Sequence, residues 1–86
     1  MKPVILEEVF SPGCHTCKEL EVFWGTIAKD FPNVEFKRLS ILDQEGQEQI
    51  QKHMIFASPG IIINGELFSS GGFNKEQLTA KLKELS

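Results

Sequence analysis

Phe10-Ser11-Pro12-Gly13-Cys14-His15-Thr16-Cys17-Lys18 joins a short apolar run to a strongly periodic one and carries both cysteines of the chain. Ser11-Pro12-Gly13 places a proline, which fixes φ and lacks an N–H, before a glycine, so a strand arriving from the N-terminal side stops there. From Cys14 onward the apolar positions Cys17, Leu20, Trp24, Ile27, Ala28 and Phe31 recur at three- and four-residue steps. That spacing predicts one buried helix stripe ending before Pro32-Asn33. Two cysteines three apart at a helix start lie on nearly the same side, close enough for a disulfide across one turn. The helix N-terminus carries roughly half a positive charge, which favours thiolate at Cys14 and lowers its pKa below the ordinary value of about 8.5. Cys14 is therefore the expected nucleophile. Cys17 falls on the stripe with Leu20 and Trp24, so it is expected to be more buried, less acidic and the natural resolving thiol.

Upstream, Val4 to Phe10 reads as a strand with Val4, Leu6, Glu8 and Phe10 on one face and Ile5, Glu7 and Val9 on the other. Apolar residues on both faces point to a strand covered on two sides, as in a layered α/β domain. Downstream, Val34 to Ile41 predicts a second strand, with Val34, Phe36 and Arg38 opposed to Lys37, Leu39 and Ile41. Asp43 is placed to cap a helix from Gln44 to about His53, with Ile50 and Met54 on its buried side. Gly46 is expected to weaken that helix by up to about 1 kcal/mol relative to Ala. Ser58-Pro59 enforces an extended or turn conformation before Gly60-Ile61-Ile62-Ile63. Asn64-Gly65 is the preferred dipeptide of a two-residue type I′ hairpin leading into Glu66 to Ser69. After Gly71-Gly72, Asn74 caps a last helix, Gln77 is able to complete a capping box, Phe73 and Leu78 form a staple, and Leu78, Leu82 and Leu85 form the buried stripe. The order is β-α-β-α-β-β-α, an α/β fold: a right-handed parallel βαβ unit extended by an antiparallel hairpin into a four-stranded mixed sheet.

Eighty-six residues leave room for one core, so residues 1–86 are read as a single domain. Hydrophobic residues at 41% and charged residues at 24% weigh against a disordered chain. A net charge of −3, with basic residues scattered from Lys2 to Lys83, makes nucleic acid a poor partner. The segment before Glu7 is too short an apolar run for a signal peptide, and the longest uninterrupted apolar runs, such as Met54 to Ala57, have four residues. A soluble, cytoplasmic protein without membrane contact, most simply a monomer, is expected.

The residues alone leave three uses for the cysteines. They are a redox pair, two reduced core-facing thiols, or half of a zinc site, since Cys-x-x-Cys also supplies two metal ligands. A carrier holding a metal or metalloid on Cys14 and Cys17 is the alternative from another functional class. His15, inside the pair, and His53, isolated on a predicted helix, form no recognisable second ligand pair.

Together, Phe10 to Lys18, Ser58-Pro59-Gly60 leading into Ile61-Ile62-Ile63-Asn64-Gly65, and Gly71-Gly72 before the last helix resemble the thioredoxin-like superfamily in its short, glutaredoxin-size form. The resemblance covers essentially the whole chain. It implies a thioredoxin-like three-layer fold and a thiol-disulfide oxidoreductase working through a Cys14 mixed disulfide resolved by Cys17, with the redox-active disulfide as its only redox group. It implies that Pro59 is cis beside the disulfide and that the backbone at Ser58 pairs with bound substrate. His15, Ser58, Pro59, Gly71 and Gly72 are then the residues expected to meet substrate, and a protonated His15 would also favour the adjacent thiolate. Trp24, as part of the helix stripe, is expected in the core.

Glu8 stands six residues before Cys14, where thioredoxins carry a buried acid that moves the resolving cysteine's proton. A buried carboxyl has a raised pKa and can do so near neutrality. The short strand and the neighbouring Glu7 favour a solvated carboxylate instead. Gly13 and His15-Thr16 replace the Trp and Gly-Pro of thioredoxins, and Lys75 replaces the acid with which glutaredoxins meet glutathione. The expected partners are therefore disulfide-containing proteins and a thioredoxin-reductase-type or dithiol reductant, with glutathione less favoured.

Overall fold

The computed structural model describes residues 2–86. Its elements follow the order β1 (Val4–Phe10), α1 (His15–Ile27), a 3-10 turn (Ala28–Asp30), β2 (Val34–Ser40), α2 (Gln44–His53), β3 (Gly60–Ile63), β4 (Glu66–Ser70) and α3 (Lys75–Leu85). The four strands form one sheet in the order β2-β1-β3-β4. β1 pairs parallel with β2 and antiparallel with β3, and β3 pairs antiparallel with β4. Asn64 and Gly65 both have positive φ, as a type I′ turn requires. The Asn64 side chain accepts a hydrogen bond from the Ile5 N–H, tying the hairpin tip to β1. Ile61 pairs with Ser69 and Ile62 with Leu67, so Phe68 is the extra residue of a β-bulge and packs against the main core.

The sheet is covered on both faces, as the two-sided pattern of β1 implies. On one face Val4, Leu6, Ile61 and Ile63 pack with Leu20 of α1 and Leu78 and Leu82 of α3. On the other, Val9 and Ile62 pack with Ile55 and with Ile50 of α2. Burying such aliphatic side chains stabilises the fold by about 1.5–3 kcal/mol each. Trp24 packs against the main core, its ring 5.7 Å from that of Phe36. Asn74 caps α3 by accepting the Gln77 N–H at 2.9 Å. Among the described residues no helix is long and apolar enough to cross a membrane.

Three expectations change around α2. Asp43 occupies the N-cap position, but its side chain makes no capping hydrogen bond. Met54 is 68% exposed rather than buried, because it takes the left-handed conformation that ends α2. The next N–H, of Ile55, reaches back to the Ile50 carbonyl at 3.0 Å, and Ile55 takes the buried place instead. Gly46 is the buried residue of α2. A Cβ there would collide with the Ser40 carbonyl oxygen, a backbone atom that cannot move away cheaply. The glycine thus lets α2 close onto the end of β2.

Propensity alone makes Gly46→Ala stabilising by about 1 kcal/mol. The collision with Ser40 reverses the sign: we expect destabilisation of about 1–3 kcal/mol, read as a lower denaturant midpoint at unchanged m-value. An unchanged or higher midpoint would contradict the packing described for α2.

Candidate redox site

Cys14 is the N-cap of α1, with extended backbone angles, and its Sγ accepts the Cys17 N–H at 3.1 Å. Cys14 and Cys17 are joined in a disulfide, with Cα atoms 5.3 Å apart. Cys17 is 2% exposed and Cys14 is only partly buried, so an incoming group meets Cys14 first. The first turn of α1 contains no acid to offset the positive end of the helix. On reduction, that dipole and the N–H of Cys17 stabilise a thiolate at Cys14, whereas burial disfavours charge at Cys17.

Glu8 lies in the sheet wall beneath this helix. It shares a strand face with Leu6, which packs on Leu20 of α1, and it is 0% exposed. The expectation of a solvated carboxylate therefore fails. β1 carries its face pattern unbroken past Leu6, and the carboxyl is enclosed where the helix closes over the strand. Parallel register sets Arg38 beside Glu8, with Nε 3.4 Å from Oε1. The same guanidinium reaches Glu21 Oε2 of α1 at 3.0 Å and stacks over the Phe10 ring at 4.3 Å from its centroid. Neither oxygen of Glu8 accepts a hydrogen bond. As an ion, Glu8 is unsatisfied; as an acid, its O–H has Glu21 for an acceptor. Burial first, then the hydrogen bond and the charge of Glu21, raise its pKa from 4.5 to about 8, while Arg38 pulls the other way.

Comparison with known proteins agrees with the fold and the cysteine pair. A family model described as thioredoxin domain matches residues 7–83. The chain belongs to the thioredoxin-domain family. It is 32% identical over 76 residues to the alkyl hydroperoxide reductase F-subunit of Xanthomonas campestris pv. phaseoli, and 29% identical over 76 residues to that of Pseudomonas putida. Each match takes in 88% of this chain and 14% of the relative, so the chain spans about one seventh of their length. Among solved structures, thioredoxin of Fasciola hepatica superposes with a TM-score of 0.76 at 22% identity, over 98% of this chain and 82% of that one. Oxidised mitochondrial thioredoxin 3 of Saccharomyces cerevisiae gives 0.76 at 18% identity, over 99% and 81%.

Within this thioredoxin-like domain the residues singled out from sequence fall in different places. The Ser58–Pro59 bond is cis, and the Ser58 hydroxyl lies 2.6 Å from that of Ser11 beside the disulfide loop. Gly71, at φ +81°, donates its N–H to the Pro59 carbonyl, and Ala57 Cβ stands 3.1 Å from where its own Cβ would be. A tight approach to the proline loop is what demands glycine there. Gly72 supplies a carbonyl to the Ser69 hydroxyl. His15 lines the site but turns to Glu19, 2.9 Å away, rather than to a sulfur. Lys75 lies over the Phe23 ring.

A cavity of about 380 Å³ runs from Phe10 past both cysteines to Lys18, Glu21 and Arg38. A second, of about 300 Å³, is lined by Val9, Ser11, Ile50, Ile55, Phe56 and Ser58. Phe56, at its rim, is 86% exposed. Arg38, Glu21, Ser11 and the apolar cavity were not singled out from sequence. Two signals bear on the first pair: the register of two adjacent parallel strands sets Arg38 against Glu8, and Glu21 follows Cys17 by one helical turn.

The raised pKa of Glu8 sets a pH dependence of folding. Between 4.5 and about 8 the folded protein keeps a proton that the unfolded chain has released. Stability from this group is thus complete below the unfolded value and is lost as pH rises through the folded one. Denaturant midpoints of the wild type should fall across that window, and Glu8→Gln, which cannot ionise, should flatten the fall. Parallel curves for the two proteins would contradict a perturbed Glu8.

Proposed function

We propose that the chain is a dithiol thiol-disulfide oxidoreductase that reduces disulfides of proteins or small molecules through a Cys14 mixed disulfide resolved by Cys17. One observation carries this reading: a partly exposed cysteine at a helix N-terminus is paired with a buried cysteine, and Arg38, which lines their cavity, reaches the buried carboxyl of Glu8. In the reduced protein the Cys14 thiolate attacks one sulfur of a substrate disulfide, forming an S–S bond to it and expelling the other sulfur as a thiolate. Cys17 then gives its proton to ionised Glu8, attacks Cys14 Sγ, and releases the second substrate thiolate. The substrate gains two electrons, the cysteine pair loses two, and solvent protonates the leaving thiolates.

Glu8 suits this role because it is out of reach of solvent and ionises near neutrality, which matches a base to the pH at which it works. The substrate backbone is placed along Ser58 and Pro59, with Gly71 and Gly72 closing that side and His15 at the solvent rim. The partners are proteins carrying accessible disulfides, and the reductant is a dithiol or a thioredoxin-reductase-type enzyme. Relatives that belong to alkyl hydroperoxide reductases favour such electron transfer over a binding role. The setting is cytoplasmic.

Two cysteine variants separate the steps. Cys14→Ser should abolish attack on a disulfide, whereas Cys17→Ser should attack at near wild-type rate and accumulate the mixed disulfide, detected by intact-protein mass spectrometry. Equal loss of the first step in both variants would contradict the assignment. Turnover should depend on an enzymatic or dithiol reductant, because no acid stands at Lys75 to receive the ammonium of glutathione. Saturable glutathione-dependent turnover that survives in Cys17→Ser would overturn that choice.

A further inference from the structure

We infer that Glu21 is a positioning residue that, opposed by Arg38, sets the pH at which Glu8 can take the proton of Cys17. This rests on the dithiol reading above and extends it to a residue outside the cysteine loop. The geometry is a three-body cluster: one guanidinium touches two carboxyls, Glu8 at 3.4 Å and Glu21 at 3.0 Å. One positive charge cannot neutralise two ionised acids, so the cluster is electrically balanced only when the two carboxyls share one proton. Glu8 has no access to water, whereas the Glu21 side chain is 27% exposed. The ion is better solvated at Glu21, and the shared proton resides on Glu8.

The other charged groups around the cluster do not replace either partner. From β3, the residue opposite Glu8 is the apolar Ile61. From α1, Lys18 lines the cavity that Glu21 and Arg38 share, and His15 is engaged with Glu19. From α3, Lys75 lies over Phe23. Arg38 is itself held by the Phe10 ring, so it presents a fixed charge to both acids.

The consequence is a specific pair of opposite effects on one step. During resolution the Cys17 S–H proton passes to the Glu8 carboxylate, Cys17 sulfur bonds to Cys14 sulfur, and the Cys14–substrate S–S bond breaks with both electrons leaving on the substrate thiolate. The rate of this step rises with pH as Glu8 ionises. Removing the negative charge in Glu21→Gln leaves Arg38 to favour ionised Glu8 alone, so the rate rises at lower pH. Removing the positive charge in Arg38→Gln leaves Glu21 to hold the proton on, so the rise moves to higher pH.

The test is stopped-flow reaction of the reduced proteins with a symmetric aromatic disulfide whose thiolate absorbs. The first release reports attack by Cys14, and the second, independent of reagent concentration, reports resolution by Cys17. We expect the midpoint of the second release to move down by about one pH unit in Glu21→Gln and up by about as much in Arg38→Gln. Below the midpoint, Glu21→Gln should then resolve up to about tenfold faster than wild type. Midpoints that stay at the wild-type value, or that move in the same direction in both variants, would overturn the role of Glu21 while leaving the oxidoreductase reading intact. Absence of a second release from the wild-type protein would overturn the oxidoreductase reading and this inference with it.

Discussion

A carboxyl group sealed in the sheet, with one shared cation and no hydrogen-bond donor, is the constraint on which this site depends. Burying an ionised carboxylate without donors costs several kcal/mol even after relaxation. Glu8 avoids most of that cost by keeping its proton, with its O–H directed in a hydrogen bond to Glu21. A structural side chain would be better replaced by an apolar one of similar size, since buried ion pairs rarely stabilise more than well-packed hydrophobes. The position of the acid on the face that α1 covers is therefore a cost to stability rather than a contribution to it.

The rest of the fold serves to hold this acid on the sheet face that α1 covers, within reach of Arg38. β1 lies between β2 and β3, so its backbone is paired on both sides and its register is fixed twice. Parallel pairing sets Arg38 opposite Glu8, and antiparallel pairing brings Gly60, next to cis Pro59, opposite Val9. A one-residue slip of β1 would turn Glu8 to the α2 side and bring Val9 beneath the helix. The hydrophobic sets on the two faces, Leu6 with Leu20 and Val9 with Ile62, resist that slip.

The element order was legible because its signals are local. Three-and-four periodicity marks α1 and α3, Asn64-Gly65 marks the hairpin, and Ser11-Pro12-Gly13 marks the break before the cysteines. What could not be read depends on contacts between distant segments. Glu8 and Glu7 are chemically alike in sequence, and only the closure of α1 over one strand face separates them. Gly46 reads as a helix weakness until the Ser40 carbonyl is set against it. Met54 continues the apolar stripe of α2 in sequence, yet the helix ends there in a left-handed residue and hands the buried place to Ile55. The cysteine pair was legible as chemistry, whereas the cluster of Glu8, Glu21 and Arg38 spans three elements and exists only after folding.

The central claim is that Glu8 holds its proton until the pH approaches about 8, ionising just above neutrality, and that this equilibrium is linked to the redox state of the cysteines. The most direct measurement is a carbon-13 carboxyl NMR titration of Glu8 in the oxidised and the reduced protein. The account predicts a midpoint near 8 in the oxidised protein, and a midpoint that moves when the disulfide is reduced, because the Cys17 thiol then exchanges a proton with the same carboxyl. A carboxyl that titrates near the ordinary value of about 4.3 in both states would contradict it.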